Sequence, residues 1–521
     1  MELGLFQIYH LKEMSLSTEL FLSSSILQFT FYAISTAYQR KTGYVILTKQ
    51  VYYIGILFMI FSSFLVLNED LFMLDSLSSN NFIINDYLSF VSKLVICVFT
   101  LFFLMIVNVS FGEESSLNNF EYVVLVCISV LGLLLLCSSN DLITAYLSIE
   151  LQSVAFYVMA AFKKNSSYSV ESGLKYFIIG ALSSTFFLLG SAIIYGFTGS
   201  LSFDDLQVFC SLAFLPESFE FNNSTISSIS LLNYDFTFLY IGFFFLCVSL
   251  FIKLSIAPFH FWSLDVYEGS PNSTTFFFAV VPKIGLFVLL FRICYIGFYP
   301  IFIENYQLYF FVLSVLSIFI GSFGGLEQRK LKTLLAYSSV SHTGYLMLSF
   351  CSGNTEGVQM MFYYLIIYML SGLCFWSVYL FLRQHQSVYN NKNNKELGDL
   401  VLLKESNPAL ALVMAITLFS IAGIPPIVGF LAKLGVFLVV MQSFAYLIAV
   451  VSILFSVIST FYYIRLIKIL YFENILVGKL YHPISTKKSI IISILFLLLI
   501  VLSIDPAIIY LLFYKSIMLI N

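Results

Sequence analysis

Apolar runs close to 20 residues long recur along the whole of this 521-residue chain, and they limit its fold more tightly than any other feature. At 1.5 Å per residue such a run crosses the roughly 30 Å of hydrocarbon in a bilayer. Hydrocarbon offers no water to a bare N–H or C=O, so each run must close its own backbone hydrogen bonds as a helix. Composition excludes the soluble alternative. Charged residues make up 10% of the chain, against about 25% in soluble globular proteins. The chain reads as an all-α polytopic membrane protein folded as one continuous bundle.

Fourteen segments are expected, near 16–38, 51–67, 87–110, 120–138, 141–162, 173–198, 236–262, 274–298, 306–325, 331–351, 357–382, 409–441, 443–471 and 489–514. They are called segments 1 to 14 below. The connection 199–235 reads as a loop that dips onto the membrane surface, and Tyr389–Lys395 reads as a flexible tip. Charge placement supports the count and sets the topology. Of the 25 lysines and arginines, 17 fall in loops after odd-numbered segments or in the ends of the segments beside them, while loops after even-numbered ones carry only acids such as Asp86, Asp204, Glu217 and Glu304. By the positive-inside rule the basic loops face the cytoplasm-equivalent side. An even segment count then leaves both termini on the opposite side.

Several function classes drop out. A net charge of −3 gives no nucleic-acid footprint. The eight cysteines form no CxxC and no cluster with histidine, so they read as packing residues, Cys210 in a loop and the rest in or beside apolar segments. There is no P-loop, GxGxxG or GxSxG motif, so this chain is expected to bind no nucleotide, metal or redox cofactor. The N-terminus, with Glu2, Glu13 and Glu19 beside a single Lys12, does not read as a cleavable targeting peptide.

The informative charges are those inside apolar segments: Lys93, Lys175, Lys253, Lys283, Arg292, Lys433 and Glu150. An ionised lysine at a helix centre costs about 2.5–3.5 kcal/mol on insertion scales, so such residues are paired, hydrated or functional. Lys175 lies near a segment start and can snorkel, and Arg292 is expected to reach an interface. Lys253 sits five residues before Pro258, and Lys433 lies eight residues after Pro425 in SIAGIPPIVGFLAKL. Proline removes a helix hydrogen bond, so segments 7 and 12 are expected to be broken at bilayer depth. Paired interruptions of this kind point to an internal repeat and a transport site, with segments 4–8 and 9–13 as the two units. Glu150 is the one carboxylate expected near mid-membrane, either as a structural ion-pair partner or as a group that tunes a lysine. In general, burial lowers a lysine's proton affinity and a nearby carboxylate restores it. His260 and His342 read either as packing residues or as extensions of such a path, His342 among the hydroxyls of Ser338, Ser339, Ser341 and Thr343. Asp265 and Glu268 are expected in a solvated loop.

These residues carry a resemblance. LSIELQS around Glu150, FIKLSIAPFHFWSLDVYEGSP around Lys253, VVPKIG around Lys283, LKTLLAYSSVSHTGY, and FSIAGIPPIVGFLAKL around Lys433 resemble the subunit 2 family of NADH dehydrogenase, an antiporter-like membrane subunit of respiratory complex I. The likeness runs from about residue 16 to 510. It implies that Glu150 and Lys253 form a coupling pair, that Lys283 is a central proton relay, and that Lys433 ends the second half-channel. His342 and His260 are possible further relays. It also implies an antiporter-like fold with an inverted repeat: residues 1–119 as three N-terminal helices, 120–298 and 299–472 as the repeats, and 473–521 as a C-terminal helix. Partners would be other membrane-arm subunits, including neighbouring antiporter-like ones, and membrane lipids. NADH, FMN, iron–sulfur clusters and ubiquinone would belong to other subunits. The motifs SIAGIPPIVGF and STFYYIRLIKILYF, with 58 Phe and 34 Tyr, resemble the mitochondrially encoded form. That places the chain in the inner membrane with both termini toward the intermembrane space. Alternatives are a plastid homologue, a standalone Na⁺/H⁺-type antiporter, and a purely structural subunit whose buried charges are ion pairs.

Overall fold

A computed structural model describes residues 16–37, 48–69, 76–78, 82–110, 120–213, 236–382, 396–401, 403–473 and 484–518. Eleven described helices are long and apolar enough to cross a membrane. Three expected segments are not among the eleven, for different reasons. Segment 1 is a single helix, Ser17–Ala37, diluted by eight serines and threonines. Segment 12 is divided into Pro408–Ala422 and Val428–Gln442, each too short to span alone. Segment 10, Leu331–Phe350, is polar because it never meets lipid: every residue but Tyr337 is buried. With these three the fourteen segments are accounted for. The tip Tyr389–Lys395 lies outside the described residues.

The two repeats pack alike. Segment 4 (Phe120–Ser138) lies against segment 5 (Leu142–Ala160), segment 5 against segment 6 (Ser167–Thr198), and segment 6 against the first half of segment 7 (Phe236–Leu254). The same order recurs where segment 9 (Gln307–Gly324) meets segment 10, segment 10 meets segment 11 (Thr355–Phe381), and segment 11 meets both halves of segment 12. Segment 8 closes the first unit against segment 4, as segment 13 (Tyr446–Tyr471) closes the second against segment 9. Segments 8 and 11 lie at the centre, buried over 100% and 89% of their membrane-spanning windows, whereas the peripheral helix Thr486–Ile504 is buried over 22%.

Each broken segment handles its open carbonyls locally. The first half of segment 7 stops at Leu254, and Ser255 turns out of the helix with φ 56°. The freed carbonyl of Ile252 accepts from the Trp262 indole at 2.8 Å and from Ser255 N–H at 3.2 Å. Segment 12 starts with Asn407 capping Leu410 N–H and Pro408 in the first turn, where a missing N–H costs nothing. It stops at Gly423, which has φ 79°. This left-handed turn bonds Gly423 N–H and Ile424 N–H to the Phe419 carbonyl at 3.0 and 3.1 Å.

Three expectations need correction. Asp265 and Glu268 lie not in a loop but in a helix, Phe261–Gly269, the second half of segment 7. There Asp265 binds Lys175 at 2.7 Å and Glu268 binds Lys330. Cys210 is buried in a helix, Phe203–Ala213, within the connection read as a loop. Arg292 reaches no solvent, being 1% exposed. A π-helical turn that continues segment 8, Arg292–Gly297, carries it, and it is held by Asp86 at 2.8 Å and by the Cys137 carbonyl at 3.1 and 3.2 Å. The all-α fold is as expected, with one short antiparallel ribbon, Ser76–Ser78 with Ile83–Asn85, in the connection between segments 2 and 3.

Candidate functional site: a line of buried lysines

The site is built from segments 5, 7, 8, 10, 11, 12 and 13. Glu150 lies midway along segment 5, half-buried, with Ser153 Oγ 3.4 Å from Oε2. Its Oε1 is buried and has no hydrogen-bond partner. Lys253 occupies the last turn of the first half-helix of segment 7, where the helix macrodipole presents partial negative charge to a cation. Its ammonium is also buried without a hydrogen bond. Glu150 acts on it electrostatically, yet among the described residues the two form no salt bridge. A locked structural ion pair is therefore not what this arrangement contains.

Lys283 stands directly after Pro282, at the start of the second half of segment 8. Its Nζ lies 3.2 Å from the Tyr368 hydroxyl and 4.5 Å from the centre of the same ring. The contact combines a hydrogen bond with cation–π attraction. The Tyr368 ring in turn packs on His342, with centroids 4.9 Å apart. Both nitrogens of His342 are engaged, Nδ1 with the Tyr364 hydroxyl at 2.5 Å and Nε2 with the Tyr463 hydroxyl at 3.2 Å. Tyr462 and Tyr463 continue the chain, their hydroxyls 3.4 Å apart. The positive charges of Lys283 and Lys433 both bear on His342, which is therefore a neighbour of each.

Lys433 folds back from the second half of segment 12 and donates to the Ala422 carbonyl at 2.7 Å. Ala422 is the last residue of the first half-helix, so this lysine too meets a helix C-terminus. Its ammonium lies 5.2 Å from the centre of the Tyr345 ring. Close packing at Gly423 makes the fold-back possible: a β-carbon there would lie 2.6 Å from Lys433 Cδ.

The structure thus forms two groups, Glu150 with Lys253, and Lys283–Tyr368–His342 with Lys433. His260 joins neither. It is buried in the break of segment 7, its Nδ1 lacks a hydrogen-bond partner, and its ring packs on Phe261 at 4.3 Å. The hydroxyls of Ser338, Ser339, Ser341 and Thr343 donate to carbonyls of their own helix at 2.7–2.8 Å, so toward the site they can only accept. Sequence reading missed the tyrosines. Tyr364 and Tyr368 are one turn apart on segment 11, a spacing that places both on one helix face and was the available signal. Among the described residues no group of histidine, cysteine and carboxylate side chains is arranged to hold a metal.

Known proteins share this architecture. The family described as NADH:quinone oxidoreductase/Mrp antiporter, transmembrane part, matches residues 139–459. NADH-ubiquinone oxidoreductase chain 2 of Marchantia polymorpha is 36% identical over 92% of this chain and 93% of its own length. NADH-quinone oxidoreductase subunit N of Pelagibacter ubique is 34% identical over 88% and 89%. Among solved structures, a chain of Thermus thermophilus respiratory complex I superimposes with a TM-score of 0.74 at 24% identity, covering 95% of this chain and 98% of that one. A chain of the Mrp complex from a Dietzia species gives 0.77 at 16% identity over 97% of each. With its broken segments, repeated packing order and buried lysine line, this chain belongs to the antiporter-like membrane-subunit family of NADH:quinone oxidoreductase and is a member of its chain 2/subunit N branch.

Proposed function

We propose that this chain is a proton-translocating subunit of the membrane arm of respiratory complex I, assembled beside other antiporter-like subunits, and that it performs no redox chemistry. NADH oxidation and ubiquinone reduction, with their flavin and iron–sulfur clusters, fall to other subunits. In this chain Glu150 and Lys253 exchange charge influence. Lys283 passes a proton toward His342, and Lys433 hands it on at the far end. His260, buried in the break of segment 7 with an unpartnered Nδ1, is proposed as a further member of the path. The observation that carries the reading is that Lys283 and Lys433 are buried, 6% and 5% exposed, and make no salt bridge among the described residues. Only a phenol and a backbone carbonyl hold their ammonium groups. Removing one partner from a buried charge is strongly destabilising. A structural role would have paired these lysines with carboxylates or replaced them by apolar residues.

The organellar composition and the acid-rich faces support a mitochondrial inner-membrane location, with the basic loops toward the matrix and both termini toward the intermembrane space. We take 120–298 and 299–472 as the inverted units between the helices of 1–119 and 473–521, a division that the repeated packing order supports. The test is to neutralise Glu150 and Lys253 together, as Glu150→Gln with Lys253→Met, and to measure proton movement against NADH oxidation in closed vesicles. Coupling is expected to collapse while the assembly remains intact. Unchanged coupled turnover would overturn the proposal in favour of a structural subunit. Sodium–proton exchange by the isolated chain in vesicles would favour a standalone antiporter.

A further inference from the structure

The most enclosed lysine among the described residues is none of those on the line. Lys93, in segment 3 (Tyr87–Ser110), is 0% exposed. It binds Glu19 Oε1 at 2.7 Å and Asn85 Oδ1 at 3.0 Å. Glu19 comes from the start of segment 1, and a second carboxylate, Glu69, approaches from the end of segment 2 (Thr48–Asn68). Between the two carboxylates stands Thr18. Its Oγ1 lies 2.6 Å from Glu19 Oε2 and 3.3 Å from Glu69 Oε1.

That arrangement counts protons. A threonine hydroxyl has one hydrogen and two lone pairs, so it can donate to only one carboxylate. With both glutamates ionised, the second would face Thr18 oxygen with no hydrogen between them. With Glu69 protonated every contact is satisfied: Glu69 donates to Thr18, Thr18 donates to Glu19, and Glu19 pairs with Lys93. We propose that Glu69, Thr18, Glu19 and Lys93 form a second proton-exchange site, on the acid-rich face of the bundle and apart from the lysine line, in which Glu69 takes up and releases the proton. Release leaves a Glu69 carboxylate and sends the proton to the acid-rich face, where Glu69 is partly exposed. Burial pushes the Glu69 carboxyl up to about 7, with Lys93 opposing the rise and Glu19 adding to it. Segment 4, which also packs on segment 2, contributes the Cys137 thiol beside Lys93. Its one charged residue, Glu121, is at the opposite end.

The site is tied to the centre of the bundle. Asn85, which binds Lys93, adjoins Asp86, which binds Arg292 at 2.8 Å. Arg292 lies on segment 8, nine residues beyond Lys283, or about 13 Å along the helix. A change of charge at Glu69 is therefore felt by the segment that carries the central lysine. The inference does not depend on the relay, because the proton arrangement stands whether or not protons pass along the lysine line.

A hydrophobic carbodiimide tests it, since this reagent attacks protonated carboxyl groups in apolar surroundings. Native membranes containing the full chain are treated with dicyclohexylcarbodiimide across a range of pH, and the modified peptides are located by mass spectrometry. Modification of Glu69 is expected to be half-maximal near pH 7, with Glu19 unmodified. Glu69→Gln removes the label. Glu19→Gln, which leaves Lys93 acting on Glu69 alone, moves the midpoint down by about one unit or more. Labelling of Glu69 that is absent, or equal at all pH, overturns the assignment. So does labelling of Glu19 in its place, or a midpoint that Glu19→Gln leaves unmoved.

Discussion

Gly423 gives the sharpest test of how the terminal lysine is held. Replacing it with alanine has two consequences. Alanine must adopt φ 79°, a left-handed conformation that costs an L-residue about 1–2 kcal/mol. The new β-carbon would also stand 2.6 Å from Lys433 Cδ and 3.1 Å from Cε. The side chain must then swing away and release the 2.7 Å bond to Ala422 O. A hydrogen bond to a charged group contributes roughly 1.5–3 kcal/mol, so the total loss is about 2.5–5 kcal/mol. Asparagine separates the two effects, because it tolerates the left-handed region but brings the same β-carbon. Both variants are assayed for proton uptake per NADH oxidised in vesicles, with assembly checked by native electrophoresis. Both are expected to assemble and to lose coupling together, asparagine retaining more thermal stability. If Gly423→Asn couples normally, the bond between Lys433 and the broken helix is not what places this lysine, and the reasoning fails.

Tyr368→Phe removes the hydroxyl 3.2 Å from Lys283 but keeps the ring at 4.5 Å. Proton transfer should slow about tenfold or more, corresponding to the roughly 1.5–3 kcal/mol of a charge-assisted bond, while Tyr368→Leu slows it further. Steady-state pumping rates of the two variants provide the check. Arg292→Met strands Asp86, 6% exposed, and should destabilise the folded chain by about 3–5 kcal/mol. Adding Asp86→Leu should recover most of that in thermal unfolding of the solubilised protein. Glu69 makes stability depend on pH. Its folded-state affinity, about 7, exceeds the ordinary 4.5, so its contribution is fully present below about pH 4.5 and lost as pH rises through 7. The difference is at most about 3 kcal/mol. Glu69→Gln should flatten that dependence in unfolding scans, and an unchanged slope would count against the assignment.

The spans were legible in the sequence because hydrocarbon leaves a chain only one local solution, and the breaks because Pro258, Pro425 and Gly423 announce them. The charge separation between faces supported the segment count for a similar reason, acting residue by residue with no knowledge of packing, and it carries the proposed orientation. What the sequence hid depends on which distant helices meet. Lys93 and Glu19 are 74 positions apart, and nothing local marks them as partners. Arg292 looked able to reach an interface, because its enclosure depends on Asp86 arriving from another segment. The helix Phe261–Gly269 was taken for a loop because Asp265, Glu268 and Gly269 are weak helix formers or polar. It packs Ser263, Val266 and Tyr267 into the bundle against segments 6 and 10, while Lys175 and Lys330 on neighbouring elements bind its two acids. The tyrosines of the site were concealed by abundance. With 34 in the chain, Tyr364 and Tyr368 stand out only after segment 11 is seen to face His342.

The lysine line is itself unevenly connected. Lys283 and Lys433 share His342 as a common neighbour, whereas Lys253 and Lys283 are joined by no direct hydrogen bond among the described residues. If protons pass along the line, the step between the two groups is the one that depends on motion or water, and Lys283 is where control concentrates. The most direct measurement is therefore the number of protons moved per electron by the intact assembly carrying Lys283→Met. The account predicts an assembled complex that oxidises NADH but moves fewer protons per electron than the parent. A normal ratio in that variant would contradict it.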